Sequence, residues 1–467
     1  MDTNNADLLY RIDSLRQRPY SLGVVILLAM TFFLVFWDVY NIGFTLPVAG
    51  KQLGVLPGNL LYAMPATIGL IGYIAGEFIL GYYSQKLGRR NGLMITLIIA
   101  SIGSILMAFS MNFIELSIFR FIVGMAIGGE IAITPTFVAE ITPSAIRGQV
   151  TGLTTAIGML EFPIVALAAY LIIPTFTWGW RFMLGFGAIV GIIVLIIRYY
   201  YLPESPRWLL QNGKKDLALK EITNMEEYIK KKYGKIERLE TNIVPEIIEE
   251  KKYKISEILK NKIIAKRLTL MGIVWFIYYI TDYALVLLAP TLLILKGYSI
   301  AGTFFYLMIM AIGDPIGSYL GMALSDKFER KYIGLGTMIA SFIAIIAWGY
   351  SNSSIMLMLS GFFAIMTQGL WLPVIYAYNS EIFPTSIRST SFGFTDGIGH
   401  IGGAIAPYII LPIAMIPSIL GIPGYNFAFI TMALFALIAG VLLAVFLPKT
   451  NKKRLETLNE LILGGES

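Results

Sequence analysis

Glu140-Ile141-Thr142-Pro143-Ser144-Ala145-Ile146-Arg147 returns as Glu381-Ile382-Phe383-Pro384-Thr385-Ser386-Ile387-Arg388, an offset of 241 residues (381 minus 140). The same offset carries Gln85-Lys86-Leu87-Gly88-Arg89-Arg90 onto Asp326-Lys327-Phe328-Glu329-Arg330-Lys331. Each of these polar motifs lies between apolar stretches of about 20 residues, the length that crosses roughly 30 Å of hydrocarbon. A chain that repeats its loops at a fixed distance folds as two parallel repeats related by an axis along the membrane normal, with a central site between them.

Working outward from the repeat, apolar segments read as spans at 22–46, 60–82, 91–110, 113–138, 148–174 and 180–201, then at 268–294, 299–325, 332–350, 354–380, 389–415 and 425–447. Only helices satisfy their backbone this way in lipid, so an all-α membrane protein of twelve helices in two six-helix bundles is expected. Residues 1–202 form the first bundle, 203–267 a polar linker, 268–450 the second bundle and 451–467 a tail. Composition agrees: of 467 residues 57% are hydrophobic and 14% charged, against about 25% charged in soluble domains.

The net charge of +7 is spread unevenly. Lys86, Arg89, Arg90, Arg147, the linker, Lys327, Arg330, Lys331 and Arg388 fall on one side, and little beyond Lys51, Arg181 and Lys296 on the other. Basic residues resist translocation, so both termini are expected in the cytoplasm and the chain in the cytoplasmic membrane. That distribution gives the charge a membrane role and excludes nucleic acid as partner. The segment Met1 to Tyr20 reads as a short polar cytoplasmic lead-in. The linker reads as a solvated helical connection or as a regulatory or lipid-headgroup surface. Zero cysteines remove disulfides, thiolate metal sites and a Cys nucleophile. No metal, no cofactor and no enzyme activity are expected.

Gly81 through Arg90 resembles the loop signature of the major facilitator superfamily, and Pro203-Glu204-Ser205-Pro206-Arg207-Trp208 is similar to the segment that ends the sixth helix in its sugar porters. Arg120, Gly124, Gly128, Gly129, Glu130 and Glu140 look like the fourth-helix run, and Gly369 with Pro373 ahead of Glu381 like the tenth. Three positions depart from the pattern: Gln85 and Glu329 replace the usual Asp and Gly, and Lys449 replaces a Glu. The paired glutamines of the seventh helix in sugar porters are replaced by Tyr278-Tyr279-Ile280-Thr281-Asp282-Tyr283. The resemblance implies a secondary transporter, a proton-coupled symporter of a small polar metabolite such as a sugar, working by alternating access. It also implies a cytoplasmic gate at Gly81, Gln85, Gly88, Arg89, Arg90, Glu140, Arg147, Glu204, Arg207, Asp326, Arg330, Glu381 and Arg388. Organic acid or phosphate is the alternative cargo, and a non-transporting membrane sensor the alternative of another class. The expected partners are solute, protons and lipid, with the chain a monomer.

A charge inside the bilayer costs at least a few kcal/mol, so each intramembrane ionisable residue is a candidate for coupling or binding. Asp38 lies roughly 16 residues, or ~24 Å, from the start of span one. It reads either as a proton-carrying carboxylate or as the structural partner of a buried Arg. Arg120, the one Arg well inside a span, is the expected partner, released when Asp38 or Glu130 is protonated. Asp282 among its tyrosines, and Asp396 one helical turn before the lone His400, are the remaining proton-coupling candidates. Asp314-Pro315 reads as a broken helix or a capped kink, Glu161 beside Pro163 is a weaker candidate, and Glu77 reads as structural. Tyr278, Tyr279, Asp282, Gln368, Trp371, Tyr376 and Asn379 are the solute-binding candidates, although helical spacing prevents all of them facing inward. Gly397-Ile398-Gly399-His400-Ile401-Gly402 fits a dinucleotide fingerprint but lies inside a span, where helix packing explains it better.

Overall fold

The computed structural model describes residues 5–238, 261–325, 327–383 and 387–450. Asp326, the side chain of Arg388, the centre of the linker and the tail 451–467 lie outside the described residues. Among the described residues twelve helices are long and apolar enough to cross a membrane. The first half contributes Leu22–Gln52, Leu60–Leu87, Arg89–Ala108, Phe113–Ile141, a fifth span in two segments, Arg147–Gly158 and Glu161–Ile172, and Gly179–Tyr201. The second half contributes Lys262–Leu295, an eighth span in two segments, Ile300–Ala311 and Gly313–Ser325, then Arg330–Gly349, Ser354–Glu381, Arg388–Met415 and Gly424–Phe446. Several helices start at a side chain that accepts an otherwise orphaned backbone N–H: Ser21, Asn59 and Asn112 in the first half, Asn261, Ser299 and Ser353 in the second.

Lipid supplies no hydrophobic force between helices, so small residues that bring backbones together decide which spans pair. A Cβ on Gly76 would sit 1.8 Å from the carbonyl oxygen of Met125, one on Gly72 2.3 Å from that of Phe121, and one on Gly128 1.9 Å from that of Tyr73. Spans two and four therefore lie backbone on backbone. The second half repeats the device at the 241-residue offset. Gly313, Gly317 and Gly369 meet the carbonyls of Phe362, Met366 and Asp314 at 2.4, 1.9 and 2.2 Å, joining spans eight and ten. Gly399, Gly402 and Gly403, within the apparent dinucleotide fingerprint and just after it, seat span eleven against Tyr279, Phe276 and Tyr283 of span seven.

The helix Asn5–Asp13, the described part of the linker, Thr450 and the Arg-rich loops share one face, called here the basic face. On the opposite face the few cations close helix ends. Arg181 donates to the carbonyls of Ala108 and Ser110, at 2.9 and 2.6 Å. Lys296 donates to those of Gly349 and Ser351, at 3.0 and 2.6 Å, the same two positions 241 residues on.

The lead-in is more than a polar segment. Asn5–Asp13 is helical and buries Leu8 and Ile12 against Trp208, Leu209, Ala218, Ile222 and Met225 of the linker helices Pro206–Gln211 and Lys215–Tyr233. Glu226 fastens the two, accepting from Arg11 at 2.7 Å and from Arg238 at 2.6 Å. Burial alone would raise the Glu226 carboxyl, but the bonded guanidiniums outweigh it and hold it below its ordinary value.

Gly76→Ala is expected to lower the thermal unfolding midpoint of the detergent-purified protein, overpacking costing about 1–3 kcal/mol. Gly336→Ala, with nothing within 4 Å of its added Cβ, should leave the midpoint unchanged. Equal midpoints for the two variants would refute the packing account.

Candidate functional site

A cavity of about 60 Å³ lies between the halves. Val35, Phe36, Val39, Tyr40, Tyr73, Ile131 and Met159 line it from the first half, and Tyr279, Asp282, Tyr283, Val286, Leu372, Tyr376 and His400 from the second. Small-molecule pockets hold about 300 Å³ or more, so in this state the cavity has room for water and not for a metabolite.

The contacts that join the halves lie level with this cavity or on the face away from the basic loops. Tyr62 and Thr291 share a hydroxyl hydrogen bond of 2.8 Å, and Thr67 donates to the carbonyl of Ala404 at 2.7 Å. The rings of Phe44 and Phe304 meet at 5.5 Å and those of Tyr170 and Phe305 at 5.6 Å. At cavity level Tyr73 stacks on His400, centroids 4.1 Å apart and planes 17° from parallel.

His400 belongs to a polar cluster. Its Nδ1 lies 2.9 Å from the carbonyl of Asp396 and 3.3 Å from Asp396 Oδ2, while Tyr279 donates its hydroxyl to Asp396 Oδ1 at 3.0 Å. Glu77 faces this cluster from span two, near Gly393. Asp282 accepts the Tyr278 hydroxyl at 3.3 Å.

Asp38 is 4% exposed and its Oδ1 has no hydrogen-bond partner. It lies against Gly187 of span six and beside Ser104 of span three. Arg120, resting on Gly69, leaves Nε and Nη1 unpartnered and feels the Asp38 charge without forming an ion pair with it. Glu130 does not answer to Arg120. Its Oε1 accepts from Arg198 at 3.1 Å and from Thr96 at 2.7 Å, and Arg198 also donates to Thr31. Arg120 is therefore not the one guanidinium inside the spans. Arg198, fully buried in span six, is the second, and it ties spans one, three, four and six together.

Of the solute-binding candidates, Tyr279, Asp282 and Tyr376 line the cavity. Tyr278, Gln368, Trp371 and Asn379 do not. Tyr278 is buried behind the wall and stacks on Trp371, which packs against Gly334. Gln368 donates to Ser341 and Asn379 to Thr395, each at 2.8 Å, so both are turned toward neighbouring spans of their own half. Tyr283, one of the tyrosines noted around Asp282, lines the cavity too, whereas the reading of the sequence assigned no role to Phe36, Tyr40 and Tyr73, which complete the aromatic wall, or to Arg198 and Asp13. Their residue types carry no signal without the rotation of each helix.

At the basic face the loop residues close each half on itself. Arg89 pairs with Glu140 at 2.9 Å, and 241 residues on Arg330 pairs with Glu381 at 2.9 Å. Glu204 accepts from the backbone N–H of Arg89, Arg90 and Ser205 at 3.0, 3.1 and 2.8 Å, capping span three. Burial pushes its carboxyl above the ordinary range, against the pull of those N–H bonds. Gly88 makes room: its φ is +103° and a Cβ there would meet Glu204 Oε2 at 2.3 Å. In the second half the carboxylate sits at the other end of the contact. Glu329, standing where Gly88 does, accepts from the N–H of Thr450 at 3.0 Å. Arg207 donates to the carbonyl of Glu140 and to Asp13, which also pairs with Arg147 at 3.5 Å. Gly81 lies against Ala132, and the Gln85 carbonyl accepts from Trp208 Nε1 at 2.7 Å.

A family model described as "Sugar (and other) transporter" matches residues 24–462. The chain is similar to the niacin transporter NiaP of Acinetobacter baylyi, 25% identical over 453 residues that cover 97% of this chain and 99% of that protein. It is similar to the glucose transporter GlcP of Staphylococcus epidermidis, 28% identical with 88% and 93% covered. An inward open structure of the xylose transporter XylE from E. coli superposes with a TM-score of 0.74, covering 95% of this chain and 100% of that one at 21% identity.

Removing one partner of a buried ion pair costs about 3–5 kcal/mol, whereas replacing both is nearly neutral. Arg198→Met should therefore lower the unfolding midpoint sharply, and Glu130→Gln added to it should restore most of the loss. A double variant no more stable than the single would show that the pair does not act as a unit.

Proposed function

Because the chain belongs to the sugar (and other) transporter family of the major facilitator superfamily, we propose that it is a proton-coupled symporter of a small polar metabolite such as a sugar, working by alternating access. Residues 1–202 and 268–450 rock about the cavity as two bodies. The basic face lies in the cytoplasm with both termini, in keeping with the resistance of Lys and Arg to translocation, and the protein sits in the cytoplasmic membrane. With that orientation the contacts at Tyr62, Thr67 and Phe44 close the outward side. The pairs Arg89–Glu140 and Arg330–Glu381, with Glu204, Arg207 and Arg147, shape the cytoplasmic rims that meet when the inner side closes. Each half carries its own share of these contacts and one chain encloses the cavity, which supports a monomer acting as a transporter and not as an enzyme.

The observation that carries the coupling is the state of Asp38 and Arg120. Both are buried, each keeps polar atoms without a partner, and they sense each other without bonding. A carboxylate so placed favours the state in which the guanidinium can reach it, and a protonated one removes that preference. Asp396 and His400, joined to Tyr73 across the interface, form a second proton station in the other half. Organic acid or phosphate is less favoured, since Glu130 is paired with Arg198 and does not answer to Arg120, although Arg120 keeps nitrogens without partners.

In proteoliposomes, an inward proton gradient is expected to drive labelled solute above its equilibrium level. Asp38→Asn should abolish that accumulation, at least tenfold down, while leaving solute exchange intact. Equilibrating uptake that ignores both the gradient and the substitution would mean facilitated diffusion and would remove Asp38 from coupling.

A further inference from the structure

The cavity departs from a polyol site in what its walls hold. No Asn, Gln, Ser or Thr is among its described lining residues, whereas Phe36, Tyr40 and Tyr73 face Tyr279, Tyr283 and Tyr376 across it. The five tyrosine hydroxyls can donate and accept, but most of the wall is aromatic face, and no amide is present to engage a row of sugar hydroxyls. Aromatic faces carry partial negative charge and attract a cation set against them.

The charges at this site point the same way. Asp282 is the one carboxylate among the lining residues, and it keeps partial exposure. Behind Tyr40 stand Glu161, first residue of the second segment of span five, and Asp314, in the first turn of the second segment of span eight. Glu161 is fully buried with both carboxyl oxygens unpartnered, and Asp314 is 4% exposed with Oδ2 unpartnered. The charges of all three act on Tyr40. Of the cations nearby, Arg198 is bonded to Glu130 and His400 to Asp396, while Arg120, which keeps nitrogens without partners, is directed at Asp38 and is not among the lining residues. Asp282, Glu161 and Asp314 thus stand beside an aromatic cage with no bonded cation, and a carboxyl group so buried takes up a proton unless a cation is set against it.

We infer that the central cavity takes a small, flat organic cation, its ring between the tyrosines of the two halves and its positive nitrogen toward Asp282. This narrows the solute class within the symporter reading and rests on it. The cavity enlarges to admit the cation when the halves part.

The test is equilibrium binding to the purified full chain in detergent, by calorimetry, with N-methylpyridinium, benzoate and D-xylose as probes. N-methylpyridinium should bind at least tenfold more tightly than either of the others. Asp282→Asn should erase that advantage, and Asp282→Glu should recover part of it. Tighter binding of D-xylose or of benzoate, or binding of none of the three, overturns the cation assignment. The ranking on the unmodified protein stands whether or not a variant folds. No gradient enters the measurement, so failed proton coupling would show in the liposomes and leave this result untouched.

Discussion

In a bilayer nothing presses one helix against another except close packing, and here the closest packing is backbone on backbone at Gly72, Gly76 and Gly128, and again at Gly313, Gly317 and Gly369. Spans two and four become one stiff unit, and so do spans eight and ten. These contacts also aim the side chains between them. The carbonyl of Tyr73 is the atom that Gly128 leaves room for, and 241 residues on the carbonyl of Asp314 is the one that Gly369 leaves room for. One backbone position, fixed by the same contact in both halves, therefore presents a ring to the cavity in the first half and a carboxylate behind it in the second.

Buried charge falls into two kinds. Inside a half it is answered: Glu130 by Arg198, Glu140 by Arg89 and Glu381 by Arg330, each within hydrogen-bond distance. Such pairs stay together while a half moves as a body. Toward the cavity it is answered only in part: His400 holds Asp396, whereas Asp38, Arg120, Glu161 and Asp314 keep atoms without partners. Groups that exchange a proton or a ligand during a cycle have to be left open in at least one state.

The spans and the repeat were legible in the sequence because length, apolarity and a fixed offset are local or linear properties. Helix starts at Leu22, Leu60, Phe113 and Ser354 fall where the apolar runs begin. The site was legible only in part. Tyr376, Gln368, Trp371 and Asn379 share span ten, and which of them faces the cavity depends on the rotation of that helix, which Gly313 and Gly317 of span eight fix from about 50 residues away in the chain. Arg198 was hidden by its place near the end of span six, since a long side chain reaches back from there to a carboxylate deeper in the membrane. The helical lead-in was obscured because its apolar stripe is short and its partner lies about 200 residues on.

The closure away from the basic face is thin. Among the described residues two hydrogen bonds, Tyr62 to Thr291 and Thr67 to Ala404, join the halves there, beside ring contacts and the close approach of Gly43 to the backbone of Val286 and Leu287. A net hydrogen bond is worth about 1 kcal/mol, so these two cost little to break, and the apolar contacts around them carry more of the closure. A side held by so few directional bonds can part without breaking a lock, and in a proton-coupled carrier the direction of net flow is then left to the solute and proton concentrations on the two sides.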